Sequence, residues 1–470
     1  MTLSDLKRKY IGDRRFYKMV LAVAVPMMVQ NGITTLVGLL DNIMVGQTTP
    51  EQMNGVAIVN QLLFVFNLCI FGGLSGAGIF TAQYFGSGDR EGVRNTFRFK
   101  LWLALGITGA AAAVLLLAEE PLIRLYLSNE NDDPARIADT LRHGRDYLHI
   151  MLFGLPAFAA VQTYTSTLRE CGETRLPMKA GIVAVLVNLV FNWILIFGRL
   201  GFAPMGVRGA AVATVISRFV EAAIVIVWTH RHPDRCPWIR TMYRTLLVPG
   251  ETAKRIFVKG VPLLVNEALW SVAQSLLVQC YSVRGLDVVN GLNIAAAINN
   301  LFMIIFTTLG SSVAIIVGHL LGAGRADEAR DTDRKLIVFS ILCSMGTGIV
   351  MFLVCPLFPQ LYNTTEQARE TAVHLMRISA CCMPIHAFMN AAYFTLRSGG
   401  KTWITFLFDS GFVWVVSIPI ALILSRCTDL SAPWMMALVS AGDLIKVAAG
   451  YLMLKRGTWV NNIVERQTGS

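Results

Sequence analysis

Asp41 is the side chain whose position asks for a chemical explanation. It lies inside a long apolar run, five residues before Gly46, where an ionisable group is costly and is by default a functional residue. Asn188 and Asn192 stand one helical turn apart, and so on one face, in the fifth apolar run; Thr214 is six residues past Arg208 in the sixth. If these runs cross a membrane as helices, a carboxylate, two amides and a hydroxyl arrive at similar depth in its outer half. Such an oxygen set suits a small hard cation, with Asp41 as the metal ligand if the ion is Na+. The same carboxylate, poorly solvated, can instead take up and release a proton. The two Asn can also serve simply as hydrogen-bonding glue between helices.

A second group of polar residues lies further along the chain. Glu267 is early in the seventh run, with Gln274 two turns further on the same face; Asp409 enters the eleventh, and Asp443 and Lys446 lie in the twelfth. Glu267, Gln274, Asp409 and Asp443 are substrate-binding or second coupling candidates. Arg218 with Glu221, and Asp443 with Lys446, are spaced i,i+3, so each pair can neutralise itself locally. His149, His319 and His386 stand alone on apolar helices and are expected to pack. Pro26, Pro156, Pro262 and Pro384 interrupt spans, and Pro26 is the candidate for helix bending.

The elements that must position these groups follow from composition. Of 470 residues, 54% are hydrophobic and 15% charged, against roughly 25% charged in a soluble domain. The mean hydropathy is +0.55. Twelve apolar segments occur, at roughly 16–45, 53–85, 97–118, 146–168, 177–198, 208–229, 257–283, 290–320, 335–360, 372–396, 403–425 and 432–454, each long enough to span a bilayer. None alternates with period two, which argues against a β-barrel. The fold class is therefore an all-α polytopic membrane protein, and the first run is expected to be retained rather than cleaved as a signal peptide. The net charge of +11 reflects topology rather than nucleic acid. Counting loops, 29 of the 41 Lys and Arg fall on the side that holds both termini and ten on the other, which places the termini in the cytoplasm. The nine cysteines form no C-x-x-C pair and are expected to be small hydrophobes.

The chain also repeats itself. Gly86-Ser87-Gly88 with Arg94-Asn95-Thr96 matches Gly322-Ala323-Gly324 with Arg330-Asp331-Thr332, and Val25-Pro26 matches Val261-Pro262, all 236 residues apart. Thr167-Leu168-Arg169 with Gly172 and Thr174 matches Thr395-Leu396-Arg397 with Gly400 and Thr402 at an offset of 228, which Pro156 and Pro384 share. A longer acidic loop around Asn129 to Arg136 accounts for the change. Two six-helix repeats follow: an N-lobe at 1–230, a C-lobe at 257–470 and a cytoplasmic linker at 231–256, whose Trp238, Ile239, Tyr243 and Leu246 beside Arg240 and Arg244 predict an interfacial amphipathic helix. Transporters place substrate between such repeats. No P-loop occurs, so nucleotide is not expected as a partner or energy source.

Asp41-Asn42-Ile43-Met44-Val45-Gly46, the paired Gly-x-Gly…Arg loops and the paired Thr-Leu-Arg…Gly-x-Thr loops resemble the multidrug and toxic compound extrusion (MATE) transporters over nearly the whole chain. The resemblance implies two six-helix lobes in a V and export of organic cations in exchange for Na+ or H+. It also implies an N-lobe ion site at Asp41, Asn188, Asn192 and Thr214, and it matches Glu267 to a helix 7 acid. Where some members have a second carboxylate on helix 5, this chain has Asn192. The expected protein is a secondary active antiporter of small organic cations or drug-like compounds. It would work by alternating access in the plasma membrane, as a monomer, with no cofactor beyond the coupling ion, and would be no enzyme. The rivals are a lipid-linked oligosaccharide flippase of the same superfamily, an integral membrane enzyme and a passive channel. The flippase would need more unpaired cations in its cavity, and the enzyme a clustered nucleophile or acid–base set.

Overall fold

The computed structural model describes residues 9–127, 134–362 and 364–465. Among them are twelve helices long and apolar enough to cross a membrane: α1 Arg14–Val45, α2 Pro50–Gly86, α3 Arg90–Leu117, α4 Pro134–Glu170, α5 Arg175–Phe197, α6 Val207–Arg231, α7 Gly250–Ser282, α8 Leu286–Gly322, α9 Ala326–Val354, α10 Glu366–Ser398, α11 Thr402–Cys427 and α12 Ala432–Arg456. The all-α, twelve-span reading holds. Most of the acidic loop that offsets the repeats, and the terminal Lys7, Arg8 and Arg466, lie outside the described residues.

The repeated glycines punctuate these helices. Gly88 and Gly324 end equivalent helices at φ 76° and 74°, and Gly172 and Gly400 do so at 83° and 71°. A side chain at such a φ meets its own carbonyl, so glycine is the residue that turns the chain there.

Hydropathy alone does not say which face of each helix turns inward. On α2 the buried residues Val56, Val59, Leu63, Phe66 and Ile70 follow a 3-4-3-4 spacing, yet Phe64, Val65 and Phe71 on the opposite face are as apolar and are exposed. A helix apolar all round is what lipid on one side and protein on the other require. The buried stripe packs with Leu148 and Leu155 of α4 and with Ile196, Val207 and Ala211 around the α5–α6 connection.

The described chain forms two compact units. One comprises residues 29–78 and 90–254; the other comprises residues up to 28, 79–89 and from 255 onward. The second unit has its own core, in which Val20 and Ala24 of α1 join Leu309, Val313 and Val317 of α8, Ala391 and Leu396 of α10, Phe408 of α11 and Trp459.

The linker departs from expectation. In place of an amphipathic helix it has two short 3-10 turns, Pro237–Ile239 and Met242–Arg244. Pro233, Pro237 and Pro249 deny helical hydrogen bonds and bias the residues before them to extended backbone. The segment is instead pinned along α3. Arg94 Nε donates to Trp238 O (3.3 Å), Arg98 Nε and Nη2 donate to Met242 O (3.2 and 3.0 Å), and Trp102 Nε1 donates to Leu246 O (3.0 Å). Three donors one helical turn apart meet three carbonyls four residues apart. Cys236 is buried against this seam, and burial pushes its thiol up to about 12, as expected of a cysteine acting as a hydrophobe.

In the second unit the segment after α12 folds back over helix ends. Trp459 is 2% exposed. Gln83 of α2 donates from Nε2 to Ser398 O (2.9 Å) and Asn461 O (3.2 Å), while its Oε1 accepts from Ile463 N (2.8 Å). Arg255 donates to Ile463 O.

Candidate functional site

In the first unit α1, α5 and α6 bring the four predicted residues together. Asn192 Nδ2 donates to Asp41 Oδ1 at 2.6 Å and to Asn188 Oδ1 at 3.1 Å, and Asn188 Nδ2 donates to Thr214 Oγ1 at 3.3 Å. With the Asn188 amide turned over, its Nδ2 lies 2.9 Å from Asp41 Oδ1 and its oxygen accepts from Thr214. Thr214 is a partner of Asn188 in both orientations, and the turned amide exchanges the bond from Asn192 for one to Asp41. Asn188 and Asn192 are buried on the inner face of α5, one turn apart. Asn192 Oδ1 is buried with no hydrogen-bond partner. With Asp41 it offers oxygens suited to a small cation. In the unturned orientation the Thr214 hydroxyl gives its one hydrogen to Ala210 O (3.0 Å) and accepts from Asn188.

A cation whose charge is felt at Asp41 is already engaged elsewhere. The charge of Arg218 reaches the carboxylate, but Arg218 Nη1 is 2.9 Å from Glu221 Oε2, the i,i+3 pair expected from the sequence. Two residues near Asp41 escaped the sequence reading. The Asp41 charge is also felt at buried Tyr147, whose hydroxyl donates to Asn60 Oδ1 (3.3 Å). Polar residues within apolar runs were the available signal. Buried Lys100 is held by Glu170 and donates to Thr167 Oγ1 (3.1 Å). His149 is no packing residue: its Nε2 is 2.6 Å from Glu119 Oε2, and Arg145 takes the other oxygen of the same carboxylate.

The second unit gathers Glu267 and Asp409 but arranges them differently. Asn266, which the sequence reading passed over, is the organiser. Its Nδ2 donates to Asp409 Oδ2 (3.1 Å), and its Oδ1 accepts from both the backbone N–H (3.2 Å) and the hydroxyl (2.8 Å) of Ser410. Here α11 is wound as π-helix over Leu407–Gly411 and Val413–Ser417, a widening often found at functional positions. Lys446 of α12 reaches Asp409 Oδ1 at 2.9 Å. The local Asp443–Lys446 pair expected from spacing therefore gives way to a bond between helices, and Asp443 lies 3.7 Å from His386 instead. The reason is reach: a buried ammonium gains most from a carboxylate already oriented by Asn266. The Tyr393 hydroxyl donates to Glu267 Oε1 (3.4 Å), and the charges of Arg397 and Asp409 act on the same carboxylate. Gln274 is half-buried and, among the described residues, makes no hydrogen bond to either acid. Pro26 lies within a continuous α1, two residues before the boundary at which that helix passes from one compact unit to the other.

Comparison with known proteins places the arrangement. The chain is 27% identical over 421 residues, 88% of its length and 86% of the relative's, to a probable multidrug resistance protein NorM of Thermotoga maritima. It is 27% identical over 423 residues, 88% of each, to the multidrug resistance protein MdtK of Pectobacterium atrosepticum. Among solved structures, MATE in the bent conformation superposes with a TM-score of 0.83 at 19% identity, over 98% of both chains. The MatE family model matches residues 26–194 and 262–423, well over half of the sequence, so this multi-pass membrane protein belongs to the MatE family.

Proposed function

We propose that the protein is a secondary active antiporter that exports small organic cations or drug-like compounds in exchange for Na+ or H+. The observation that carries the reading is Asp41 itself: a carboxylate inside a helix bundle, set by Asn188, Asn192 and Thr214, while Arg218, whose charge reaches it, is already bound to Glu221. An incoming ion can neutralise such a group, and coupling needs only that ion and cargo bind the inward- and outward-open states unequally. Relatives named as multidrug resistance proteins support the substrate class. In this reading transport replaces catalysis, the termini lie in the cytoplasm, the plasma membrane is the site of action, the two six-helix halves move as lobes, and a monomer suffices.

The test is dye efflux from proteoliposomes with Na+ and H+ gradients imposed one at a time. One gradient is expected to drive efflux in the wild type, and Asp41→Asn is expected to abolish that drive while leaving the protein folded. Wild-type pumping by Asp41→Asn would overturn the assignment.

A further inference from the structure

The Lys446 ammonium occupies surroundings of a recognisable kind. Asp409 Oδ1 lies 2.9 Å away, and the rings of Phe408 and Phe412 face it with centroids at 5.1 and 5.9 Å. A carboxylate flanked by aromatic faces within about 6 Å is how proteins recognise ammonium ligands. Asn266 holds the second carboxylate oxygen (3.1 Å), so the acid is oriented independently of the lysine. Lys446 is 7% exposed, whereas the Asp409 side chain keeps 20% of its surface open, so the carboxylate end of the cage is reachable.

The cage is peculiar to one repeat. At the offset of 228 that aligns the paired Thr-Leu-Arg loops, Phe408, Asp409 and Phe412 correspond to Ala180, Gly181 and Ala184. Three larger side chains, all contacting one ammonium, stand where the other half has small ones. A helix that only needed to pack would not require a charge there, and a lone buried lysine is more cheaply replaced than caged.

We propose that this cage is an organic-cation site kept occupied by the chain's own lysine, and that a monovalent ammonium-type cargo binds by displacing the Lys446 head from Asp409, Phe408 and Phe412. The displaced ammonium has a second partner in reach, because Asp443 precedes it by three residues on the same helix. Competition from the tether lowers the cargo's apparent affinity by the fraction of time the cage is open, which favours release. The inference deepens the export reading and rests on it for the cargo's class.

Binding of benzyltrimethylammonium to the purified full-length protein, by calorimetry in nanodiscs without any gradient, tests it. Lys446→Met is expected to tighten binding about tenfold or more, and Asp409→Asn added to Lys446→Met is expected to remove the gain. Benzenesulfonate, an anion of similar size, is expected to gain nothing. Melting temperature and gel filtration report folding; should Lys446→Met not fold, Lys446→Gln, which keeps a donor for Asp409, is expected to shift affinity in the same direction. Unchanged affinity, or a gain that survives Asp409→Asn, overturns the proposal. Because no gradient is used, that failure is separable from failure of ion-driven efflux: a wild type that pumps while Lys446→Met binds no tighter condemns the cage alone.

Discussion

At the scale of single residues, Asp41 and Asp409 are the same functional group in opposite states. Asp409 has a lysine of its own, while the hydrogen bond to Asp41 among the described residues comes from neutral Asn192 at 2.6 Å. That hydrogen bond sets the carboxylate's orientation and leaves its charge unmet. If the coupling ion is Na+, Asn192→Ala is therefore expected to weaken its binding by about tenfold, since the variant loses the Oδ1 oxygen beside the ion and the bond that orients the carboxylate; if the ion is H+, loss of a donor to the charged carboxylate is expected to act in the opposite direction. The ion concentration giving half-maximal efflux checks this; an unchanged value would mean that Asn192 serves packing alone. The Asp41–Asn188–Asn192–Thr214 group was legible in the sequence because polar residues are rare in apolar runs and helical spacing puts them on one face. Asn266 and Tyr147 were equally rare signals but stood beside Glu267 and in a mixed stretch, where spacing alone gave them no partner. The pairing of Lys446 with Asp409 rather than Asp443 was not legible, because local spacing says nothing about which helix packs alongside.

At the scale of elements, the repeated Thr-Leu-Arg loops acquire a physical meaning that spacing did not supply. Thr167 takes buried Lys100 from α3 at 3.1 Å, and its repeat mate Thr395 donates to buried Asp333 from α9 at 2.5 Å. The threonine is kept while the charge it serves changes sign, because a hydroxyl both donates and accepts. The twelve-span count was readable from hydropathy, but several helix starts were not: α4 begins at Pro134 rather than near 146 and α9 at Ala326 rather than near 335, because a polar turn beyond the apolar run carries no hydropathy signal. The linker was not, since its amphipathic composition fits a helix and only the three prolines speak against one. What secures it is the ladder from Arg94, Arg98 and Trp102. Arg98 is buried and gives two hydrogen bonds to Met242 O, so Arg98→Ala is expected to cost about 2–3 kcal/mol locally. Limited proteolysis at Arg240 and Arg244 is expected to quicken while the twelve helices keep their circular dichroism. Equal cleavage rates would mean the linker is held elsewhere.

At the scale of the whole molecule, the internal repeat reappears as a contact within the second compact unit. The end of α2 crosses the end of α8, and the residues that meet are repeat mates: Ala82 with Gly318, and Gly86 and Gly322 against each other's helices. A side chain on Gly318 would come within 2.9 Å of the Ala82 methyl; one on Gly86 would strike the main chain of His319, and one on Gly322 that of Gln83. His319 and Gln83 are themselves 236 apart, so the crossing is close to self-complementary, as a two-fold contact must be. In lipid, where apolar surface alone does not drive helices together, small residues allow the backbone approach that holds such a crossing. The symmetry stops at the edge: Gln83 carries the returning segment through Ile463 and Asn461 and also holds Ser398 O at the end of α10, whereas His319 packs tilted against Phe85 with ring centroids 4.9 Å apart. Gly86→Ala and Gly322→Ala are thus expected to destabilise together, by about 1–3 kcal/mol each as overpacking against fixed backbone does, and to lower the melting temperature in detergent by similar amounts. They should differ in one readout. Gly322→Ala, which pushes on Gln83, is expected to speed amide exchange at Ile463 along with loss of the Gln83 bond, while Gly86→Ala leaves that amide protected for longer. Matched losses of stability with the same exchange rate at Ile463 in both variants would show that the crossing and the returning segment are held independently.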